Sequence, residues 1–162
     1  MPTVYLGIGS NIDPQKNLVQ ALEELEIRFG KLRKSSVYRS EAYGFEGDEF
    51  LNMVVALASE ATPIEIHAQL EEIQRAAGRN CAVRGYSSRT IDIDLLLYDD
   101  LVMDEPPIRL PRPDVLHFSF VLAPMAEIAP ELRHPETRQS YRDHWDSFES
   151  ESHPITRERF IS

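Results

Sequence analysis

The chain has 162 residues, 42% hydrophobic and 27% charged, a make-up that fits one ordinary globular domain with a real core. Its formal net charge of −10 argues against a broad nucleic-acid-binding face, which needs clustered Lys and Arg. With no apolar run long enough to cross a bilayer and no basic-then-apolar leader, no membrane association is expected, and a cytoplasmic location is.

Val4 to Gly9 reads as a first strand with small residues at alternate positions. Asp13 and Pro14 open a helix, Asp13 as its cap, and Leu18, Ala21, Leu22, Leu25 and Phe29 recur at helical spacing before Gly30 ends it. Lys31 to Arg39 is a strand candidate carrying Leu32, Val37 and Tyr38. Ser40 to Glu49 reads as an acidic loop, and Phe50 to Leu57 as a strand. Thr62 and Pro63 start a second helix whose apolar side is Ile64, Ile66, Leu70, Ile73 and Ala77, closed by Gly78. Arg79 to Ser88 is a basic loop without period. Thr90 to Tyr98 is a strand, and Val102 to Arg112 is Pro-rich and irregular.

Phe118 to Leu122 leads into a short helix that Pro124, Glu127 and Pro130 limit. Tyr141, Trp145 and Phe148 share one face of a last helix, and residues 149–162 form a polar, frayed tail. Residues 1–135 are expected to form the main domain, with 136–162 as a helical extension and tail. The order strand, helix, strand, strand, helix, strand predicts a ferredoxin-like α+β fold. Its antiparallel sheet would carry helices on one face and set the first strand beside the Thr90–Tyr98 strand in the middle.

That last strand holds an anomaly. Asp92 and Asp94 lie in an otherwise aliphatic run, and carboxylates are rarely buried unpaired. Residues two apart in a strand point to one face, so the two carboxylates converge and need a cation between them or a shared proton. With Arg89 upstream, a site for divalent metal and phosphate is the economical reading. The single Cys81 has no partner for a disulfide or structural zinc site and reads as a surface thiol. His67, His117, His134, His144 and His153 show no metal-ligand spacing.

Five segments, in order, carry a family resemblance: Tyr5-Leu6-Gly7-Ile8-Gly9-Ser10-Asn11, Phe50-Leu51-Asn52, Gly78-Arg79, Arg89-Thr90-Ile91-Asp92-Ile93-Asp94, and Phe120 through Pro130. Across Thr3 to Leu132 the chain resembles the 6-hydroxymethyl-7,8-dihydropterin pyrophosphokinases of folate biosynthesis. The resemblance implies transfer of pyrophosphate from ATP to the pterin hydroxymethyl group, leaving AMP, with two magnesium ions. It implies that Asp92 and Asp94 hold both ions, and that Arg79 and Arg89 act with them in catalysis by clamping ATP phosphates. Arg84, Tyr86 and Arg112 would join Arg79 and Arg89 on the nucleotide. Phe50 and Phe120 would stack the pterin, Asn52 would meet its polar edge, and Ser40, Tyr43 and Gly44 would line the same pocket.

The chain departs from the family pattern at several positions. Arg112 replaces a His, Phe118 an Arg, Gln74 a Glu, Cys81 an Arg and Glu41 a Pro, while Tyr86 stands where Trp is usual. These changes mark a divergent paralogue and leave two alternatives beside the main reading. One is a catalytically weak pterin-binding or regulatory protein, the other a pyrophosphokinase for another 6-substituted pterin. Partners are expected to be ATP and a reduced pterin, with the chain monomeric.

Overall fold

A computed structural model describes residues 1–41, 49–78, 91–149 and 154–158. Its main sheet is built on β1 (Thr3–Ser10), which pairs antiparallel with β4 (Phe50–Ala58) on one side and β5 (Asp92–Tyr98) on the other. Beyond β4 come β3 (Val37–Ser40) and β8 (Ile155–Glu158), giving the order β5-β1-β4-β3-β8; the two-residue β2 (Arg33–Lys34) also pairs with β4. The antiparallel α+β architecture is as expected. However, of the two strands expected in the middle only β1 is interior, and β5 lies at the edge of the sheet among the described residues.

Two helices cover one face. α1 (Pro14–Phe29) starts after Asp13, whose φ of 42° is left-handed and whose side chain makes no cap bond, contrary to expectation. α2 (Pro63–Ala76) has a complete capping box: Thr62 Oγ1 accepts from the Glu65 N–H, and Glu65 Oε1 accepts from the Thr62 N–H, both at 3.2 Å. Leu18, Leu22 and Leu25 of α1, with Ile66, Leu70 and Ile73 of α2, bury the Val4, Leu6 and Ile8 side of β1.

The opposite face is also covered, correcting the expectation of helices on one side. α3 (Asp114–His117), α4 (Ser119–Ile128) and α5 (Tyr141–Asp146) bring Val115, Val121, Leu122, Met125 and Tyr141 against Tyr5, Val54, Ala56, Leu96 and Leu97. Pro124 sits inside α4 rather than ending it. Proline forfeits one helical hydrogen bond, but α4 is apolar nearly all round and its burial offsets that loss.

The Pro-rich segment is a hairpin, β6 (Met103–Glu105) with β7 (Ile108–Leu110). The tail expected to fray supplies β8, because the outer backbone edge of β3 is there to be paired. A β-bulge at Leu96 shapes β5: Leu95 pairs with Leu6 and Leu97 with Tyr5, so Leu96 is an extra residue. Leu96 and Leu97 consequently both join the α4 side, while Ile93 and Leu95 face α1 and α2. Among the described residues, no helix is long and apolar enough to cross a membrane.

Candidate active site

One row of residues crosses the sheet on its α4 face. Arg157 of β8 pairs with Tyr38, Tyr38 with Asn52, Asn52 with Gly9, and Gly9 with Asp92. In the next row Val54 opposes Gly7, and Gly7 opposes Asp94. The floor between the carboxylates and the β4 side chains is therefore glycine. A Cβ on Gly9 would lie 2.9 Å from Asn52 Oδ1, closer than real side-chain contacts allow, while one on Gly7 would meet Leu96 at 3.4 Å. Asn52 and Asp92 can share this floor only because Gly9 carries no side chain.

Asn52 is buried, and its Nδ2 donates to Ser40 Oγ at 2.8 Å and to the Tyr38 carbonyl at 3.5 Å. An Asn inside a strand, a poor strand former, is thus held to a fixed rotamer on the face that Asp92 and Asp94 share. Ser40 pairs in register with Phe50, which is half-buried on the same face. Phe120, in the first turn of α4, stacks on Phe118 with ring centroids 5.1 Å apart and an interplanar angle of 19°. Ser10 and Asn11, at the end of β1, are buried, and Ser10 Oγ donates to the Ile12 carbonyl at 3.1 Å.

Asp92 and Asp94 are half-buried on β5. Arg112 reaches them from the end of the β6–β7 hairpin: its Nη2 is 3.6 Å from Asp94 Oδ1 and its Nε 3.4 Å from Asp114 Oδ2. The Arg112 N–H donates to the Leu96 carbonyl at 2.9 Å, fixing the residue to the bulge. Burial works against the guanidinium charge, yet Asp94 and Asp114, with a smaller contribution from Asp92, hold its pKa above the ordinary value.

Gln74 is not where a nucleotide contact would be sought. It is buried under β5, its Nε2 donating to the Leu70 carbonyl and its Oε1 accepting from the Ile93 N–H, each at 3.0 Å. The amide both donates and accepts, and so ties α2 to the backbone between Asp92 and Asp94. A carboxylate can do only the accepting half.

Sequence reasoning missed the other end of the row. Glu127 of α4 accepts from the Ser36 N–H at 2.9 Å, Ser36 Oγ at 2.6 Å and Tyr38 Oη at 2.9 Å. Arg157 donates to Tyr38 Oη at 3.1 Å and lies 5.6 Å from the ring centre. Burial, reinforced by Glu127 and opposed by the Arg157 hydrogen bond, raises the Tyr38 pKa. A cavity of about 390 Å³, lined in part by Tyr38, Glu127, Trp145 and Arg157, lies at this end, three strands from Asp92. The available signal was Glu127 itself, an acidic residue in an otherwise apolar run.

Tyr43, Gly44, Arg79, Cys81, Arg84, Tyr86 and Arg89 lie outside the described residues. Among the described residues no group of three or more His, Cys, Asp or Glu side chains is placed to hold a metal ion. The Asp92 and Asp94 pair offers hard oxygen donors facing an uncrowded glycine floor. That set fits a small divalent cation that keeps several waters and takes its remaining ligands from phosphate.

The family model described as 7,8-dihydro-6-hydroxymethylpterin-pyrophosphokinase (HPPK) matches residues 5–130. The chain is 36% identical over 146 residues to the 2-amino-4-hydroxy-6-hydroxymethyldihydropteridine pyrophosphokinase of Aquifex aeolicus (strain VF5), covering 88% of this chain and 90% of that one. Against the enzyme of the same name from Porphyromonas gingivalis (strain ATCC 33277) it is 41% identical over 142 residues, covering 84% and 96%. Its fold matches the wild-type HPPK-DHPS of Plasmodium falciparum with SDX-DHP at a TM-score of 0.71 and 13% identity. That match covers 90% of this chain but 43% of the longer Plasmodium chain, and at such identity it speaks for the fold alone. From the matched segment, the two bacterial relatives and the shared fold, this chain belongs to the 7,8-dihydro-6-hydroxymethylpterin-pyrophosphokinase family.

Proposed function

We infer that this chain transfers pyrophosphate from ATP to 6-hydroxymethyl-7,8-dihydropterin, producing the pterin diphosphate and AMP for folate biosynthesis. The observation that carries the reading is the row in which Asn52 and Asp92 face each other across Gly9. It brings a hydrogen-bonding edge for a planar heterocycle within a strand's width or two of a metal-binding carboxylate pair.

In the transfer, the pterin hydroxymethyl oxygen forms a bond to the ATP β-phosphorus as that phosphorus parts from the oxygen bridging to the α-phosphate. AMP leaves and the hydroxyl proton is released. Asp92 and Asp94 would hold magnesium, two ions on the family pattern. A magnesium ion held by these carboxylates would supply charge neutralisation at the phosphates and a lowered pKa for the attacking hydroxyl. Asn52, held by Ser40, orients the polar edge of the pterin, with Phe50 and Phe120 supplying apolar faces. Tyr43 and Gly44 belong to the same pocket by family register. Arg79, Arg84, Tyr86 and Arg89 are assigned to ATP on the same ground, and Arg112 by its position beside Asp94.

The decisive measurement is AMP release from ATP and magnesium, with and without 6-hydroxymethyl-7,8-dihydropterin. Pterin-dependent AMP supports the reading. Folded protein that binds the pterin yet releases no AMP would instead favour a binding paralogue.

A further inference from the structure

We propose that Arg112 is a resident counter-ion of the carboxylate pair, which competes with free divalent metal for Asp94 and so makes the site select metal already bound to nucleotide. The proposal rests on the metal reading of Asp92 and Asp94. Arg112 is placed for it by two independent anchors. Its backbone N–H is held by the Leu96 carbonyl at the bulge, and its Nε lies 3.4 Å from Asp114 Oδ2. Those anchors leave Nη2 3.6 Å from Asp94 Oδ1, one of the two oxygens that Asp94 offers a cation.

The electrostatics have opposite signs for the two forms of metal. Two carboxylates alone attract a divalent cation strongly. A guanidinium within a few ångströms cancels one of their charges and repels the incoming ion in a half-buried setting where charge interactions are only partly screened. A metal–ATP complex is a net anion, so the same guanidinium attracts it. Arg112 can then leave Asp94 for a phosphate oxygen, since its planar fork suits either acceptor. Asp114 sets the balance by sharing Arg112 with the pair. Without it, the guanidinium belongs to the carboxylates alone.

The test uses manganese(II) as the probe, its binding followed by electron paramagnetic resonance without nucleotide, and a non-hydrolysable ATP analogue for the complex. Wild type, Arg112→Gln, Arg112→Lys, Asp114→Asn and Asp92→Asn are compared. Arg112→Gln should bind free manganese about tenfold tighter than wild type and bind the metal–nucleotide complex more weakly. Arg112→Lys, keeping the charge, should stay near wild type, and Asp114→Asn should bind free manganese more weakly. A merely structural role for Arg112 would move both forms of metal in one direction. Arg112→Gln binding free manganese no tighter than wild type overturns the proposal, as does tighter binding by Asp114→Asn. If Asp92→Asn binds free manganese as wild type does, the metal reading falls together with the proposal.

Discussion

Gln74 Oε1 accepts the Ile93 N–H at 3.0 Å, so a helix side chain holds the strand backbone midway between Asp92 and Asp94. Among the described residues β5 is an edge strand, so this N–H meets no further strand there, and the Gln74 amide accepts it from beneath. The amide is spanned by its second bond, to the Leu70 carbonyl. Replacing Gln74 with Glu keeps the acceptor but removes the donor and buries a charge. Gln74→Glu should therefore destabilise the fold by about 1–3 kcal/mol, read as a lower urea midpoint with unchanged slope. It should also lower AMP release, since the carboxylate pair rides on that backbone.

The Gly9 contact makes a different kind of demand. A Cβ there would lie 2.9 Å from Asn52 Oδ1, and Asn52 is itself held by Ser40 and the Tyr38 carbonyl, so it has little freedom to retreat. Gly9→Ala should cost about 1–3 kcal/mol of stability, the usual range for overpacking a filled site. The functional loss should fall on the pterin side: KM for pterin rises several-fold while KM for ATP changes less. Steady-state kinetics with each substrate varied in turn checks this split.

What could be read along the chain, and what could not, follows from which interactions are local. The periods of α1 and α2, the helix start at Thr62 and Pro63, and the apolar β4 are consecutive-residue patterns, and all of these elements form. The same-face argument for Asp92 and Asp94 also holds, because alternation is a property of the strand itself. That β5 sits at the sheet edge, and that Gln74 serves its backbone, depends on partners at least 19 residues away. Residues 155–158 carry almost no strand signal. They become β8 because β3 presents an unpaired edge, which no local pattern announces. The side that α4 covers is equally hard to read, because a helix apolar nearly all round does not say which face of a sheet it will pack on.

Tyr141 offers a simple stability measurement. Its side chain is fully buried against the α4 side of the sheet, and its hydroxyl has no hydrogen-bond partner among the described residues. Burial holds that hydroxyl neutral by raising its pKa, but neutrality does not satisfy its donor. Tyr141→Phe keeps the ring and removes the unsatisfied group, so it should stabilise the protein by about 1 kcal/mol, raising the thermal midpoint by a few degrees. AMP release should be unchanged, because Tyr141, the first residue of α5, packs into the apolar cluster beneath α4 and is no member of the row from Asp92 to Asn52.

The segment after α4 should also make stability pH-dependent. His134 is buried, its Nδ1 accepting from the Glu136 N–H at 3.1 Å and the Thr137 N–H at 3.2 Å, with the rings of Tyr141 and His144 about 6 Å away. Burial, and then the neighbouring His144, lowers its pKa below the ordinary imidazole value; burial lowers that of His144 as well. The folded state therefore binds these protons less readily than the unfolded chain, whose histidines titrate near about 6.5. Above that pH both states are neutral and the contribution is fully present. As pH falls below it, the unfolded state protonates first and stability declines, until the folded imidazoles protonate too. Urea unfolding at pH 7.5 and 5.5 should show the loss before the carboxylates titrate. His134→Asn, which can still accept an N–H but cannot protonate, should be less stable than wild type at pH 7.5 by about 1 kcal/mol. Its stability should nonetheless fall less between the two pH values, and an equal fall in both proteins would remove His134 as the cause.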